Sequence, residues 1–295
     1  ALRKKNAKLI CYCHTPPRYL YGLPTARNFK KYPFVEFLSN IANHFLRLAD
    51  FKYSQNVDQF IANSKTTATR IQKFYRRDSV IINPPIDIPN QMTQSDFFSA
   101  QRMRSAKREP EGSEHCKKLD KSYYLTGGRL ARAKRYDIAI EACNQLKVPL
   151  KVFGRDFAGF EAELKKIAGL PAGASAKAGS YIEFLGEITQ EEKSKLFSEA
   201  KAYLFCSDNE DFGMVSVEAQ SYGCPVIGYN SGGIRETVID GKTGILFSKL
   251  TPESCATAIK KLKKSKIKPN DCVHNASSFS TKNFISKIKS LISSI

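Results

Sequence analysis

The sequence contains no Cys-x-x-Cys pair and no Cys/His grouping at zinc-ligand spacing, which argues against a structural metal site. It also has no apolar run approaching the roughly 20 residues needed to cross a bilayer, and no signal-peptide pattern at its start, so an integral membrane protein is not expected. Several of the eight cysteines stand inside apolar runs such as Leu9-Ile-Cys-Tyr-Cys13 and Tyr203-Leu-Phe-Cys206. There a reduced thiol acts as a small hydrophobe, and a cytoplasmic setting fits.

Negative charge is scarce. The 28 acidic residues face 47 basic ones, for a formal net charge of +19, which invites nucleic acid, an anionic membrane surface or an anionic small substrate. The lysines are scattered, with short clusters at Lys260–Lys268 and near Arg102–Arg108. No RNA-recognition signature, zinc knuckle or basic-aromatic interleaving accompanies them, so no nucleic-acid partner is expected. The hydrophobic share of 42% and the charged share of 25% are ordinary for a folded chain, and 295 residues suit two domains.

From Tyr123 to Leu262 short apolar runs alternate with turns and amphipathic runs, the pattern of βα units. Strands are expected near 121–126, 149–154, 181–185, 202–206, 225–228 and 243–247. Helices are expected near 134–146, 160–168, 189–200, 214–222 and 252–264. Runs such as Pro149-Leu-Lys-Val-Phe153 are mostly apolar on both faces, as in a parallel sheet covered on both sides. The fold class is therefore α/β. Upstream, strands near 8–13, 57–62 and 79–83 alternate with helices near 33–49 and 64–77, the second opened by Ser64 as N-cap. Asn83-Pro84-Pro85 ends this smaller unit.

The expected organisation is a partial N-terminal unit over 1–87, an aperiodic basic linker over 88–121, a complete nucleotide-binding unit over 122–265, and a C-terminal tail and helix over 266–295. In the last segment Phe284, Ile285, Ile288, Leu291, Ile292 and Ile295 form one apolar stripe, which docks either on the protein itself or at a membrane interface.

Three segments carry candidate chemistry, each after a strand, where ligand crevices form in open parallel sheets. In Thr126-Gly127-Gly128-Arg129 the glycines let the backbone approach a ligand, while Arg129 and Lys134 can reach one anion from either side of the turn. In Glu210-Asp211-Phe212-Gly213-Met214-Val215 the chain enters a helix whose free amides attract phosphate oxygens or sugar hydroxyls. Glu218 lies about a turn inside that helix, placed to accept from vicinal ribose hydroxyls. Asn230-Ser-Gly-Gly-Ile-Arg-Glu236 is a third, glycine-rich turn. Against these stand plainer readings: a solvated basic loop, an exposed helical glutamate, a structural His14 at a strand end.

Taken together, Gly128-Arg129-Leu130 with Lys134, the pair Glu210 and Glu218, Gly232-Gly233-x-x-Glu236 and Asp240-Gly-Lys-Thr-Gly244 resemble the retaining glycosyltransferases of family 4, with two facing Rossmann-like domains in the fold called GT-B. The resemblance runs from about Lys8 to the end. It implies that Arg129 and Lys134 bind a donor diphosphate beside Gly127 and Gly128. Glu210, Asp211 and the amides of Phe212, Gly213, Met214 and Val215 would hold the transferred sugar, and Glu218 the ribose.

Cys11-Tyr-Cys-His14-Thr-Pro-Pro-Arg18 resembles the family segment whose histidine comes close to that sugar, so His14 joins Arg129, Lys134 and Glu210 as catalytic candidates. The reaction implied is hexose transfer from GDP-mannose or a UDP-sugar to a saccharide or lipid-linked saccharide acceptor. Peripheral contact with an anionic inner membrane face and a homo-oligomer are compatible with it.

No metal cofactor is expected: Asp208-Asn-Glu210-Asp211 imitates an acidic metal motif, but Arg129 and Lys134 already supply the positive charge. The family usually opens with a further strand and glycine-rich loop before the segment at Cys11, and Ala1 stands close to the fourth strand, so the N-terminal unit is expected to be shortened. The competing function is a nucleotide-sugar-binding protein without catalysis, and more remotely a basic RNA-binding protein.

Overall fold

The computed structural model describes residues 7–25, 33–88, 123–171, 173–175 and 179–295. The expected linker over 88–121 lies, but for its first residue, outside the described residues. Two parallel sheets organise the rest.

The smaller sheet has the order β1-β2-β3, built from β1 (Ile10–Cys13), β2 (Gln59–Ala62) and β3 (Ser79–Ile81). Its helices are α1 (Pro33–Ser54) and α2 (Lys65–Tyr75). Ser64 caps α2 as its sequence suggests, accepting from Thr67 N at 3.0 Å. The core beneath α2 gathers Cys13, Val57, Phe60, Ala62, Ile71 and Tyr75, with Tyr21 stacked on Phe74 at 4.1 Å between ring centres.

The larger sheet has the order β6-β5-β4-β7-β8-β9, all parallel. Its strands are β4 (Tyr124–Gly127), β5 (Leu150–Phe153), β6 (Ile182–Gly186), β7 (Tyr203–Phe205), β8 (Val226–Tyr229) and β9 (Gly244–Phe247). The helices are α3 (Tyr136–Leu146), α4 (Phe160–Ile167), α5 (Gln190–Glu199), α6 (Met214–Ser221), the short α7 (Ile234–Thr237) and α8 (Pro252–Lys264). Tyr124 packs into one core layer with Ile138, Leu164 and Ile259, while its neighbour Leu125 packs into the other with Phe197, Val226 and Ile234. Both faces are thus covered, which explains strands that are apolar throughout. The order runs outward from β4 to β6, then returns to β7 on the other side of β4. That reversal opens a crevice at the C-terminal ends of β4 and β7.

Two further helices follow, α9 (Pro269–Ser277) and α10 (Thr281–Ser294). The sequence reading gave no separate helix at α9; its Pro269 stands in the first turn, where a missing N–H costs nothing. α10 crosses back to the smaller sheet. Phe284 meets Tyr12 edge-on at 5.8 Å, Lys8 Nζ donates to the Ile295 carbonyl, and Ile86 N donates to Phe279 O at 2.9 Å. The stripe thus meets the protein itself through Phe284, with Ile285, Ile292 and Ile295 left exposed. Among the described residues no helix is long and apolar enough to cross a membrane.

Candidate active site

At the end of β4 the chain makes the turn that the glycine pair suggested. Gly128 has φ +124°, a conformation open to glycine, and a Cβ on Gly127 would lie 2.3 Å from the Phe153 carbonyl oxygen. Two buried phenols hold the turn from below. Tyr203 donates to Gly127 O at 2.6 Å, and Tyr136 donates to Arg129 O at 3.3 Å. Burial keeps both phenols far from ionisation. Arg129 leaves the turn with its guanidinium over the Phe157 ring, 5.8 Å from the centre. A 3-10 turn then brings Lys134 back toward β7, where its ammonium sits 2.6 Å from Glu210 Oε2.

The loop after β7 is held with similar economy of space. Gly233 N donates to Glu210 O at 2.8 Å. A Cβ on Gly232 would lie 2.3 Å from that same oxygen, and one on Gly233 would lie 2.4 Å from Phe212 Cα. The third glycine-rich turn is thus a bed for the Glu210–Phe212 backbone. Ser207 Oγ donates to Glu210 Oε2 at 2.7 Å.

Burial alone would raise the Glu210 carboxyl. The Lys134 ion pair and hydrogen bond, the Ser207 hydroxyl and the field of Arg18 outweigh it and hold the group below its ordinary value of 4.5. Because the folded-state value is depressed, the contribution to stability is present above the unfolded value and is lost as pH falls through the folded one. The difference in urea midpoint between the protein and Glu210→Gln should accordingly be largest near neutrality and shrink as pH drops below 4.5. A difference that grows on acidification would contradict it.

Between the two loops lies a cavity of about 390 Å³. It gathers Gly127, Gly128, Arg129, Lys134, Glu210, Asp211 and Val215. Other candidates fall elsewhere. The Phe212 side chain is buried with Ile86, Val217 and Phe279, and Met214 is exposed. Gly213 caps α6 with φ +89°, and Glu218 on α6 pairs with Lys193 of α5. His14 is exposed at the end of β1, its ring against Tyr12 and its carbonyl accepting from Thr67 Oγ1.

The cavity also includes Arg18, Tyr136, Tyr203 and Ser207, to which the sequence reading gave no role. The tyrosines were concealed by strand and helix patterns in which they count as apolar. Among the described residues no group of three or more His, Cys, Asp or Glu side chains could hold a metal ion.

A glycine turn with a pair of cations thus faces a half-buried carboxylate at the switch point of a parallel sheet. Residues 107–279 match the sequence profile of the family described as Glycosyl transferases group 1. The chain belongs to the group 1 glycosyl transferases.

Human alpha-1,3/1,6-mannosyltransferase ALG2 is 27% identical over 261 residues, covering 83% of this chain and 57% of that one. The D-inositol 3-phosphate glycosyltransferase of Nocardioides is 27% identical over 224 residues, covering 70% of this chain and 46% of the relative. The chain thus spans about half the length of these curated relatives. Among solved structures, Anabaena Alr3699/HepE in complex with UDP superposes with a TM-score of 0.62 at 21% identity, covering 84% of this chain and 68% of that one. The two-sheet arrangement of this group 1 member is the GT-B fold.

Proposed function

We propose that the chain binds a nucleoside diphosphate sugar in this cavity and transfers its hexose to a hydroxyl acceptor with retention at the anomeric carbon. The observation that carries the reading is the convergence of Arg129 and Lys134 with the Gly127–Gly128 turn on one wall and Glu210 on the other. A lysine ammonium has three donors. One of Lys134's goes to Glu210, leaving the others for phosphate oxygens. Glu210, held ionised, accepts from sugar hydroxyls, and the amides of Phe212, Gly213, Met214 and Val215 at the start of α6 complete the sugar site. Departure of the diphosphate, stabilised by Arg129 and Lys134, is then the main catalytic term. This charge makes a divalent ion redundant.

The name of ALG2 and the Glu-Asp-Phe-Gly sequence lean the donor toward GDP-mannose; the UDP bound by HepE makes a UDP-sugar the alternative. A saccharide or lipid-linked saccharide, met during surface polysaccharide or glycolipid assembly at the cytoplasmic membrane face, fits as acceptor. His14, at the edge of the smaller sheet, is assigned to the sugar's other side.

Calorimetric titration with GDP, UDP and ADP, followed by turnover of the matching sugar nucleotide, tests the reading. One diphosphate should bind and be released on turnover. Binding without turnover would leave a nucleotide-sugar-binding protein, and no binding at all would overturn the proposal. Within it, Glu218→Ala should weaken nucleoside diphosphates about tenfold while leaving a bare hexose 1-phosphate unaffected. Equal loss for both ligands would remove Glu218 from the ribose.

A further inference from the structure

The loop that carries Glu210 is gripped from the opposite side of the cleft. Arg18, in the segment after β1, donates from Nη2 to Asp211 Oδ1 at 2.9 Å and to Asn209 O at 2.8 Å. Arg70, on α2 and nearly buried, donates from Nη1 to the same carboxylate oxygen and from Nη2 to Asn209 O at 2.9 Å. Ser64 Oγ donates to the Asp211 carbonyl. A return contact runs the other way: Glu236 of α7 accepts from Lys65 N at 2.8 Å and from Thr66 N at 3.2 Å, adding a carboxylate to the N-terminus of α2.

Asn209 adopts φ +51°, in the left-handed region that asparagine enters more readily than other residues with a side chain, and outside groups hold it there. These groups are the two guanidiniums on its carbonyl and Ser231 Oγ, which accepts from Asn209 N at 3.3 Å.

We infer that Arg70 and Arg18 are positioning residues that act through Asp211 and Asn209 on Glu210. The backbone on both sides of Glu210 is fixed by groups from the smaller-sheet half, while the glycine turn supports it from the larger-sheet half. Among the described residues nothing comparable holds the Gly127–Lys134 segment, whose supports include Tyr203, Tyr136, Ser207 and the Phe153 and Arg155 carbonyls of the larger-sheet half. The two walls of the cavity therefore differ in kind. The diphosphate wall is complete within its own half. The Glu210 wall takes its final geometry only when the halves are in contact, so sugar alignment is coupled to closure and diphosphate capture is not. The inference rests on the glycosyltransferase reading for its kinetic arm alone.

The test compares Arg70→Ala, Asp211→Asn, their double variant and Asp211→Glu in the full chain, with three readouts. Amide hydrogen exchange over 207–213 should quicken at least tenfold in Arg70→Ala and Asp211→Asn while β4 and the 127–134 segment keep wild-type protection. Affinity for GDP and UDP should stay within about twofold of wild type, whereas turnover of the sugar nucleotide should fall on the order of 100-fold in kcat, the scale of loss when a catalytic group is displaced by about an ångström.

The double variant should be little worse than either single one, as for residues acting in one network, and Asp211→Glu should recover part of the turnover. Nucleotide affinity falling in step with kcat would reduce the arginines to a general structural role and overturn the inference. Unchanged exchange over 207–213 would overturn it as well. If wild type binds neither GDP nor UDP, the proposed function fails, and the exchange experiment still decides whether the arginines hold the loop.

Discussion

Replacing Lys134 by alanine is expected to lower sugar-nucleotide turnover on the order of 1000-fold, more than any other single truncation at the site. Two losses coincide. The diphosphate loses a charge-assisted contact of about 1.5–3 kcal/mol. Glu210 at the same time loses the partner that offsets its burial, since the ion pair at 2.6 Å is the largest influence holding its carboxyl down. The carboxyl then rises from its depressed position, and its hold on the ionised form in the sugar site weakens. Arg129→Ala removes only the first of these, so both variants should lose about 10- to 100-fold in nucleotide affinity, but the Lys134 variant should lose further in kcat. Calorimetry and initial rates measured on the two side by side separate the terms. Unchanged affinity in both would dismiss the phosphate clamp.

Gly154→Ala should be the most disruptive small substitution outside the cavity lining. Gly154 follows β5 with φ +129°, and a Cβ there would lie 1.7 Å from the Gly128 carbonyl oxygen. That neighbour is backbone, so the clash is relieved only by moving the turn that carries Arg129. A cost of about 3 kcal/mol or more is expected from overpacking and the forced conformation together. It should appear as a lower urea midpoint and, in protein that remains folded, as weaker nucleotide binding. A variant with wild-type midpoint and affinity would show that the β4 turn yields freely.

The periodic parts of this structure were legible in the sequence because burial on both faces leaves an unbroken apolar signature. Each of the six strands expected between 121 and 247 lies within a few residues of an observed one, and the terminal helix runs over Thr281–Ser294 as its stripe indicated. Arg129, Lys134 and Glu210 could be placed on one crevice edge because each follows a strand of that sheet directly.

What could not be read has a common physical cause: it depends on atoms brought together from distant parts of the chain. Arg18 and Asp211 are separated by 193 positions, and no pattern of spacing ties a proline-flanked arginine to an aspartate in another sheet's loop. The Gly232-Gly233 turn packs against the Glu210–Phe212 backbone, a partner the sequence could not name, since glycine next to a ligand and glycine next to another backbone leave the same trace. Glu236, read as part of a glycine-rich turn, also accepts from the first amides of a helix across the cleft.

The return of α10 to the first strand has a consequence for synthesis. Lys8 and Ile295 are 287 positions apart yet in contact, and Tyr12 meets Phe284. At about 5–20 residues per second, translation separates the two ends of that contact by tens of seconds. Through this interval Tyr12 lacks its Phe284 neighbour, while the larger sheet can already pack as its strands emerge. The later-made helix therefore completes the earlier-made strand only after the sheet that carries Arg129 and Lys134 has emerged, so a stalled chain would leave the smaller sheet to chaperones.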